Sequence, residues 1–424
     1  MASRLSLRLC SGSCAAVICI ASSRSSVAGR RAFSAPAFTH FAPSEIIVGG
    51  GTAFQALPGL VQRLGMRRPL LITDPNLVNG TAVQGVLAAL SAAGLDSVGV
   101  YSETIPEPTT VECDNGVQLF REGQHDGLIA VGGGSPMDIA KVIGVLAGNG
   151  GQVRDYKVPN PIPLPGPPLV AVPTTAGTGS EVTRFAVISD PVAHEKMLIM
   201  SPYLVATAAV VDFKLTLSCP KRVTADSGLD ALVHAVEAYV STKANVMSDS
   251  HALSAMAAIQ RSIRKVVADP LDEPAREAMM LASMQAGLAF GNASVCLVHG
   301  MSRPIGVHFH VPHGLSNAML LPSVTRFSLP TALERYAQCA RAMSLVPHGA
   351  DDDTAGAALL REFEQLNADL EVPTMKDFGI PEARYMELRP LMAEQALASG
   401  SPGNNPRVPS AQEIVDIYDQ AYAL

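Results

Sequence analysis

Four of the ten histidines in this 424-residue sequence, His299, His308, His310 and His313, fall within one short stretch, a density that packing alone does not call for. Upstream, Asp230 and His234 lie four residues apart in SGLDALVHAVEAY. If that segment is helical, the spacing puts a carboxylate and an imidazole on one face. One carboxylate with two or three imidazoles suits Fe(II) or Zn(II) and leaves a coordination position open for a substrate oxygen.

A second kind of chemistry is written in glycine. The apolar run ending at Val131 passes directly into Gly132-Gly133-Gly134-Ser135-Pro136 and then into a helical pattern carrying Asp138 and Lys141. A glycine turn that opens a helix offers free backbone N–H groups to a phosphate, although glycine repeats also make ordinary tight turns. A second small-residue turn, Pro173 to Glu181, follows another apolar run and supplies Thr174, Thr175 and Thr178. Two such turns after two strands point to a dinucleotide. Asp74, at the end of LLITD, is placed to accept hydrogen bonds from an adenosine ribose, or else to be a solvated loop aspartate before Pro75.

Elements must hold these groups. Between Glu45 and Asp212, β-rich runs at 69–74, 97–102, 127–134, 169–175 and 208–213 alternate with Ala- and Leu-rich stretches. That alternation predicts an α/β domain with a mostly parallel sheet and its ligand at the strand carboxyl ends. After Pro220 the period becomes helical through to the end. The expected organisation is therefore a targeting peptide at 1–44, a dinucleotide-binding α/β domain at 45–215 and an all-α metal-binding domain at 216–424. The helical stretch ending near LVHGM puts His299 close to a helix end, and His313 sits in a Pro-His-Gly turn. Residues 159–168 (PNPIPLPGPP) read as an extended connection, and 399–410 (SGSPGNNPRVPS) as a surface loop before a last short helix.

Composition narrows the class. With 48% hydrophobic and 16% charged residues the chain can bury a large core, and a net charge of -7 gives no electrostatic case for a nucleic-acid partner. Residues 1–44 hold no acidic residue but five arginines, so the remainder carries -7 minus 5, or -12. Such a leader, with Arg31-Ala32-Phe33-Ser34 as a processing site, points to the mitochondrial matrix, with a plastid or secretory address as the alternative. Its apolar run Cys14–Ala21 is too short to span a bilayer. Past the leader, Cys113, Cys219, Cys296 and Cys339 are scattered, as free thiols in a reducing compartment would be.

With these residues in hand, the chain resembles the iron-containing (group III) alcohol dehydrogenases from Glu45 to Leu424. GGGSPMDIAK, PTTAGTGSEVT, GLDALVHAVEAY, LVHGM with PHGLSNAMLLP, and NNPRVPSAQEIVDIY occur in the family's order. The resemblance implies a sheet domain first, a helical domain second and an active site between them. It implies Asp230, His234, His299 and His313 as ligands of Fe(II), with Zn(II) possible. Gly133, Gly134, Ser135, Asp138, Thr174, Thr175, Thr178 and Lys196 are implied to line an NAD site, with Asp74 near the adenosine ribose. The activity implied is hydride transfer between nicotinamide C4 and the carbon of an alcohol, aldehyde or hydroxyacid whose oxygen the cation polarises, in a homo-oligomer.

One position departs from the pattern. Many members carry a second histidine four residues after the His299 position, where this chain has Arg303. Arg303 could bind an acidic or hydroxylated substrate, or form a structural ion pair, and His308, His310 or a water chain would then deliver the proton. Rival readings are a hydroxyacid-oxoacid transhydrogenase that keeps its NAD bound, a dehydroquinate synthase type of lyase with poorer motif agreement, and an inactive metal- or NAD-binding module.

Overall fold

The strands in chain order are β1 (Glu45–Val48), β2 (Pro69–Ile72), β3 (Gly99–Tyr101), β4 (Gly127–Gly132), β5 (Leu169–Pro173), β6 (Phe185–Asp190), β7 (Glu195–Met200) and β8 (Ala208–Val211). The helices of the first half are α1 (Thr52–Gln55), α2 (Leu57–Arg63), α3 (Thr81–Ala92), α4 (Thr110–Glu122) and α5 (Gly134–Asn149). Those of the second half are α6 (Lys221–Val240), α7 (Val246–Ala268), α8 (Glu273–Ala293), α9 (Leu297–Phe309), α10 (His313–Ser328), α11 (Leu333–Ala342), α12 (Asp352–Asp369), α13 (Glu382–Ala398) and α14 (Ala411–Ala423). These come from a computed structural model that describes residues 37–193 and 195–423. The leader call rests on residues that, up to 36, lie outside those described.

Six strands form a parallel sheet in the order β1-β8-β5-β4-β2-β3. β2, β4, β5 and β8 are buried along their whole length, as parallel strands covered on both faces must be. The chain steps outward from β2 to β3, then jumps back across β2 to β4. The order therefore reverses at the β2/β4 boundary, and a crevice opens at their carboxyl ends. Ile72 pairs with Ala130, so Asp74 and Gly132, each two residues further on, stand level across that crevice.

β6 and β7 form a separate antiparallel hairpin in which buried and half-buried positions alternate. The sequence reading passed over it. Residues 159–168 hold no helix or strand, as expected.

The second half is helical, its core built chiefly from buried Ala, Leu, Met and Val of α6 to α14. The halves belong to one compact unit, Phe38–Leu424. That unit takes in residues assigned to the leader: Phe41 N–H donates to Asn292 Oδ1 at 2.6 Å, and Asn292 Nδ2 returns a bond to the Phe41 carbonyl at 2.9 Å. Ser44 N–H likewise donates to the Thr207 carbonyl at 3.2 Å, so the last residues of the expected leader touch the body.

Two further expectations need correction. The apolar stretch carrying His299 is two helices: α8 ends at Ser294, whose φ is 67°, and α9 departs at 103° to it. His299 thus lies in the first turn of a new helix rather than near the end of an old one. His313, expected in a turn, is the first residue of α10. The 399–410 segment is likewise no simple surface loop, since Ser401, Pro402, Asn404 and Asn405 are buried. Asn404 Nδ2 donates to Ser294 Oγ and the Val295 carbonyl, bracing the α8/α9 corner.

Among the described residues no single helix is long and apolar enough to cross a membrane. Cys113, Cys296 and Cys339 are buried free thiols, and Cys219 is half-buried and free.

Candidate metal and dinucleotide site

α6 is buried over most of its length, so Asp230 and His234 face other helices rather than solvent. Gly314, at the start of α10, permits the approach: a Cβ there would lie 2.4 Å from the Asp226 carbonyl and 3.2 Å from Asp230 Cβ. The result is convergence of three helix segments. His299 Nε2 lies 3.6 Å and His313 Nε2 3.9 Å from Asp230 Oδ1, while His234 Nδ1 lies 3.8 Å from Asp230 Oδ2. Donor atoms of Asp230, His299 and His313 all fall within 4.8 Å of one another; His234 stands beside that triangle, stacked on His299 at 4.5 Å and on Phe290 at 4.1 Å.

Two residues that the sequence reading missed complete this centre. Glu237, one turn after His234, accepts His299 Nδ1–H at 2.7 Å and the backbone N–H groups of Cys296 (2.9 Å) and Val298 (2.6 Å). It caps α9 and leaves His299 Nε2 as the free lone pair turned toward Asp230. Asn317, one turn after His313, donates from Nδ2 to Asp230 Oδ1 at 2.7 Å and approaches His299 Nε2 and His313 Nε2 at 3.2 and 3.3 Å. Both were legible in principle as further i, i+3 or i, i+4 positions on the ligand faces.

Electrostatics fit a cation. Burial alone would raise the Asp230 pKa, but the rings of His234, His313 and His299 more than offset it and hold the carboxyl well below its usual range. Burial lowers His234 to about 4 against the pull of Asp230, and His313, whose Nε2 faces the cluster, is lowered as well, with the charges of His299, Lys196 and His234 adding to the effect. His299 moves the other way: burial opposes protonation, but the Glu237 carboxylate bonded to Nδ1 and the nearby Asp230 carboxylate win. At neutral pH the set is a carboxylate with His234 and His313 neutral. His234 Nδ1 is buried without a hydrogen-bond partner, as a ring nitrogen whose lone pair is kept for a cation would be. A carboxylate with three imidazoles is the chemistry of an Fe(II) or Zn(II) site, and these residues fit one.

The glycine turn meets this centre. Gly132, at φ 158°, lies so close to Pro136 that a Cβ would come within 2.6 Å of its ring. Gly133 is the N-cap of α5 and brings no side chain to bond the first N–H groups, which stay free for an anion. The second turn folds against the first, with Thr175 Oγ1 3.5 Å and Thr178 Cγ2 3.1 Å from where Cβ atoms of Gly133 and Gly134 would stand. It also reaches the helical half: a Cβ on Gly177 would meet Ser227 Cβ at 2.6 Å, and one on Gly179 (φ 58°) would meet Gly287 Cα at 2.6 Å.

One cleft, with a cavity of about 270 Å3, joins the two chemistries. Gly134, Ser135, Asp138, Thr178 and Lys196 line it together with Asp230, His234, His299, Arg303 and His313. Gly133, Thr174, Thr175 and Asp74 lie outside that cavity, further along the strand ends. Asp138 lines it with its oxygens already engaged by Ser180 Oγ and Val187 N–H, each at 2.9 Å. Lys196 is paired with Glu107 at 2.6 Å. Thr174 is buried, its N–H on the Gly132 carbonyl, and Asp74 Oδ1 caps the N–H groups of Asn76 and Leu77.

The proton-relay candidates fare differently. His308 is nine residues after His299, half a helical turn out of phase, and bonds Gln395 Oε1 at 2.8 Å. His310 is the exposed left-handed residue that ends α9. Neither lines the cleft, so both are withdrawn as acid-base groups. Arg303, four residues after His299, does face it. Among the described residues Arg303 makes no ion pair; its one bond is Nη1 to Ser401 Oγ at 2.9 Å, which removes the structural ion-pair reading.

A helix N-terminus ready for phosphate beside a cation-binding cluster is the arrangement of an enzyme that pairs a dinucleotide with a metal. The chain belongs to the iron-containing alcohol dehydrogenase family: the model "Iron-containing alcohol dehydrogenase" matches residues 43–213, and "Fe-containing alcohol dehydrogenase family, C-terminal" matches 224–422. Long-chain-alcohol dehydrogenase 1 of Geobacillus thermodenitrificans (strain NG80-2) is 40% identical over 89% of this chain and 94% of its own. A crystal structure of 1,3-propanediol oxidoreductase superposes with a TM-score of 0.87 at 36% identity, covering 91% of this chain and 100% of the other. Sulfoacetaldehyde reductase from Bifidobacterium kashiwanohense, solved with NAD+, gives a TM-score of 0.81 at 26% identity, covering 92% of this chain and 100% of the other. The protein is an oxidoreductase of the alcohol dehydrogenase type, and its family works with NAD(H) and iron.

Proposed function

We propose that this chain interconverts small alcohols and aldehydes or ketones at the α6/α9/α10 cluster, with Asp230, His234, His299 and His313 holding the cation. The carrying observation is the single cleft lined both by Gly134 and Ser135 at the head of α5 and by the Asp230 cluster. When bound, the cation supplies Lewis acidity and NAD(H) the hydride. The N–H groups after Gly133 receive the cofactor's diphosphate, and Asp74, level with Gly132, receives its adenosine ribose. Thr174 and Thr175 shape the second turn against the first. Glu237 fixes the His299 tautomer, and the rings of Phe185 and Phe290 wall the reacting centre from water. The His313 side chain, 41% exposed, marks the wet mouth of the cleft, from which the proton exchanges with solvent.

The test is anaerobic purification with metal analysis, followed by NADH oxidation with short aldehydes. His299→Ala and His313→Ala should lose metal and activity together, while His308→Ala keeps both. Stoichiometric metal in the first two variants overturns the ligand assignment. The acid-free, arginine-bearing leader supports delivery to the mitochondrial matrix, with a plastid as the alternative; a fusion of residues 1–44 to a fluorescent protein reads this out. The open sheet edges β1 and β3 support a homo-oligomer, to be checked by light scattering.

A further inference from the structure

Arg303 is half-buried, and its side chain lines the cleft one helical turn from His299 on the same face of α9. A guanidinium carries five N–H donors, and only Nη1 is engaged, by Ser401 Oγ. The carboxylate whose charge acts on it, Glu237, makes no ion pair with it and bonds instead His299 Nδ1 and two backbone N–H groups. The other cation of the cleft, Lys196, is neutralised by Glu107. A guanidinium that faces a partly desolvated cleft with most of its donors unengaged is ready to take a carboxylate in a bidentate fork. Such a carboxylate would enter through the cleft that Arg303 lines. Ser401 belongs to the buried 401–405 segment, so the guanidinium is held from behind with its remaining donors open to the cavity.

We propose that Arg303 is the anchor for a substrate carboxylate, so that the preferred substrate is an oxo acid or its hydroxy acid rather than a neutral aldehyde. The inference rests on the reading that reduction takes place at the Asp230 cluster. The carbonyl carbon takes hydride from NADH and its oxygen takes one proton, giving the hydroxy acid and NAD+. Meanwhile the carboxylate at the other end of the molecule stays on the guanidinium fork. The fork sets the distance between the two ends and hence the chain length accepted.

The experiment compares kcat/KM for glyoxylate against acetaldehyde and for 4-oxobutanoate against butanal, in wild type, Arg303→Met and Arg303→Lys. Wild type should favour the acid over its neutral partner by about tenfold or more at one of the two lengths. Arg303→Met should lose at least tenfold more on that acid than on the neutral aldehyde, chiefly in KM, with Arg303→Lys recovering part of the loss. Retained iron content and melting temperature serve as the folding control. Independently of turnover, calorimetric titration of the NADH-loaded enzyme should show 4-hydroxybutyrate or glycolate binding to wild type and not to Arg303→Met. No acid preference at either length, or equal proportional losses on acid and neutral substrates, overturns the proposal while leaving the reduction reading intact. Hydroxy-acid binding that depends on Arg303 without turnover of any aldehyde does the reverse.

Discussion

His299 is gripped on both sides of its ring, and the grip comes from a residue on the same helix as Asp230. Glu237 takes the Nδ1 proton and also closes the first turn of α9, so it sets ring orientation and helix origin together. Glu237→Gln keeps the size but offers an amide where an anion stood. It should lower cation affinity about tenfold to a hundredfold, read by chelator competition, and more than it lowers the melting temperature. Asp230 and His234 were legible because i, i+4 spacing on an apolar segment forces a shared face. Glu237 was written in the same segment, seven residues after Asp230, but looked like one more charged helix residue. His308 and His310 misled because closeness in sequence says nothing about phase: nine residues turn a helix face to the opposite side. The fate of Arg303 depended on Ser401, almost a hundred residues away, and no local pattern carries that.

At the scale of elements, the seam between the halves is backbone against backbone. Gly179, in the second turn, and Gly287, in the middle of α8, touch so closely that neither has room for a methyl group. Gly179→Ala adds a Cβ at φ 58° as well, where L-residues are strained. It should cost about 2–4 kcal/mol in chemical denaturation and raise KM for NAD, since the displaced turn carries Thr178. The parallel strands were readable as apolar runs separated by turns, and the helical half from its change of period. The β6/β7 hairpin was present only as two short apolar runs, FAVI and MLIM, and was hidden by the stronger strand-helix rhythm around it. The α8/α9 corner was invisible because Ser294 is not a usual helix breaker; Asn404, from the far end of the chain, braces the corner.

For the whole molecule, the ties between α5 and the second turn make stability depend on pH. Lys141 Nζ, buried, donates to the Ser180 and Phe185 carbonyls and to Ser180 Oγ; burial draws it down to about 8. Burial raises neighbouring Glu181 to about 7 from an ordinary 4.5, and Lys141 offsets only part of this. Between those values the folded chain keeps a proton that the unfolded chain has lost. Stability from this group is therefore full below about 4.5 and falls as pH rises through 7. Glu181→Gln should flatten that slope in urea titrations at pH 5 and pH 8 and stabilise the protein at pH 8, by at most about 3 kcal/mol. A last consequence follows from Asn317, whose amide nitrogen sits among Asp230, His299 and His313. Small zinc domains unravel when emptied, because nothing else gathers their ligands. Here Asp230, His299 and His313 stand on helices of a large buried core, whose packing does not depend on the ion. Chelator-stripped protein should melt in one cooperative step and regain activity on adding Fe(II) without passage through denaturant. Metal supply would then set how much of the folded protein is active, not how much of it folds.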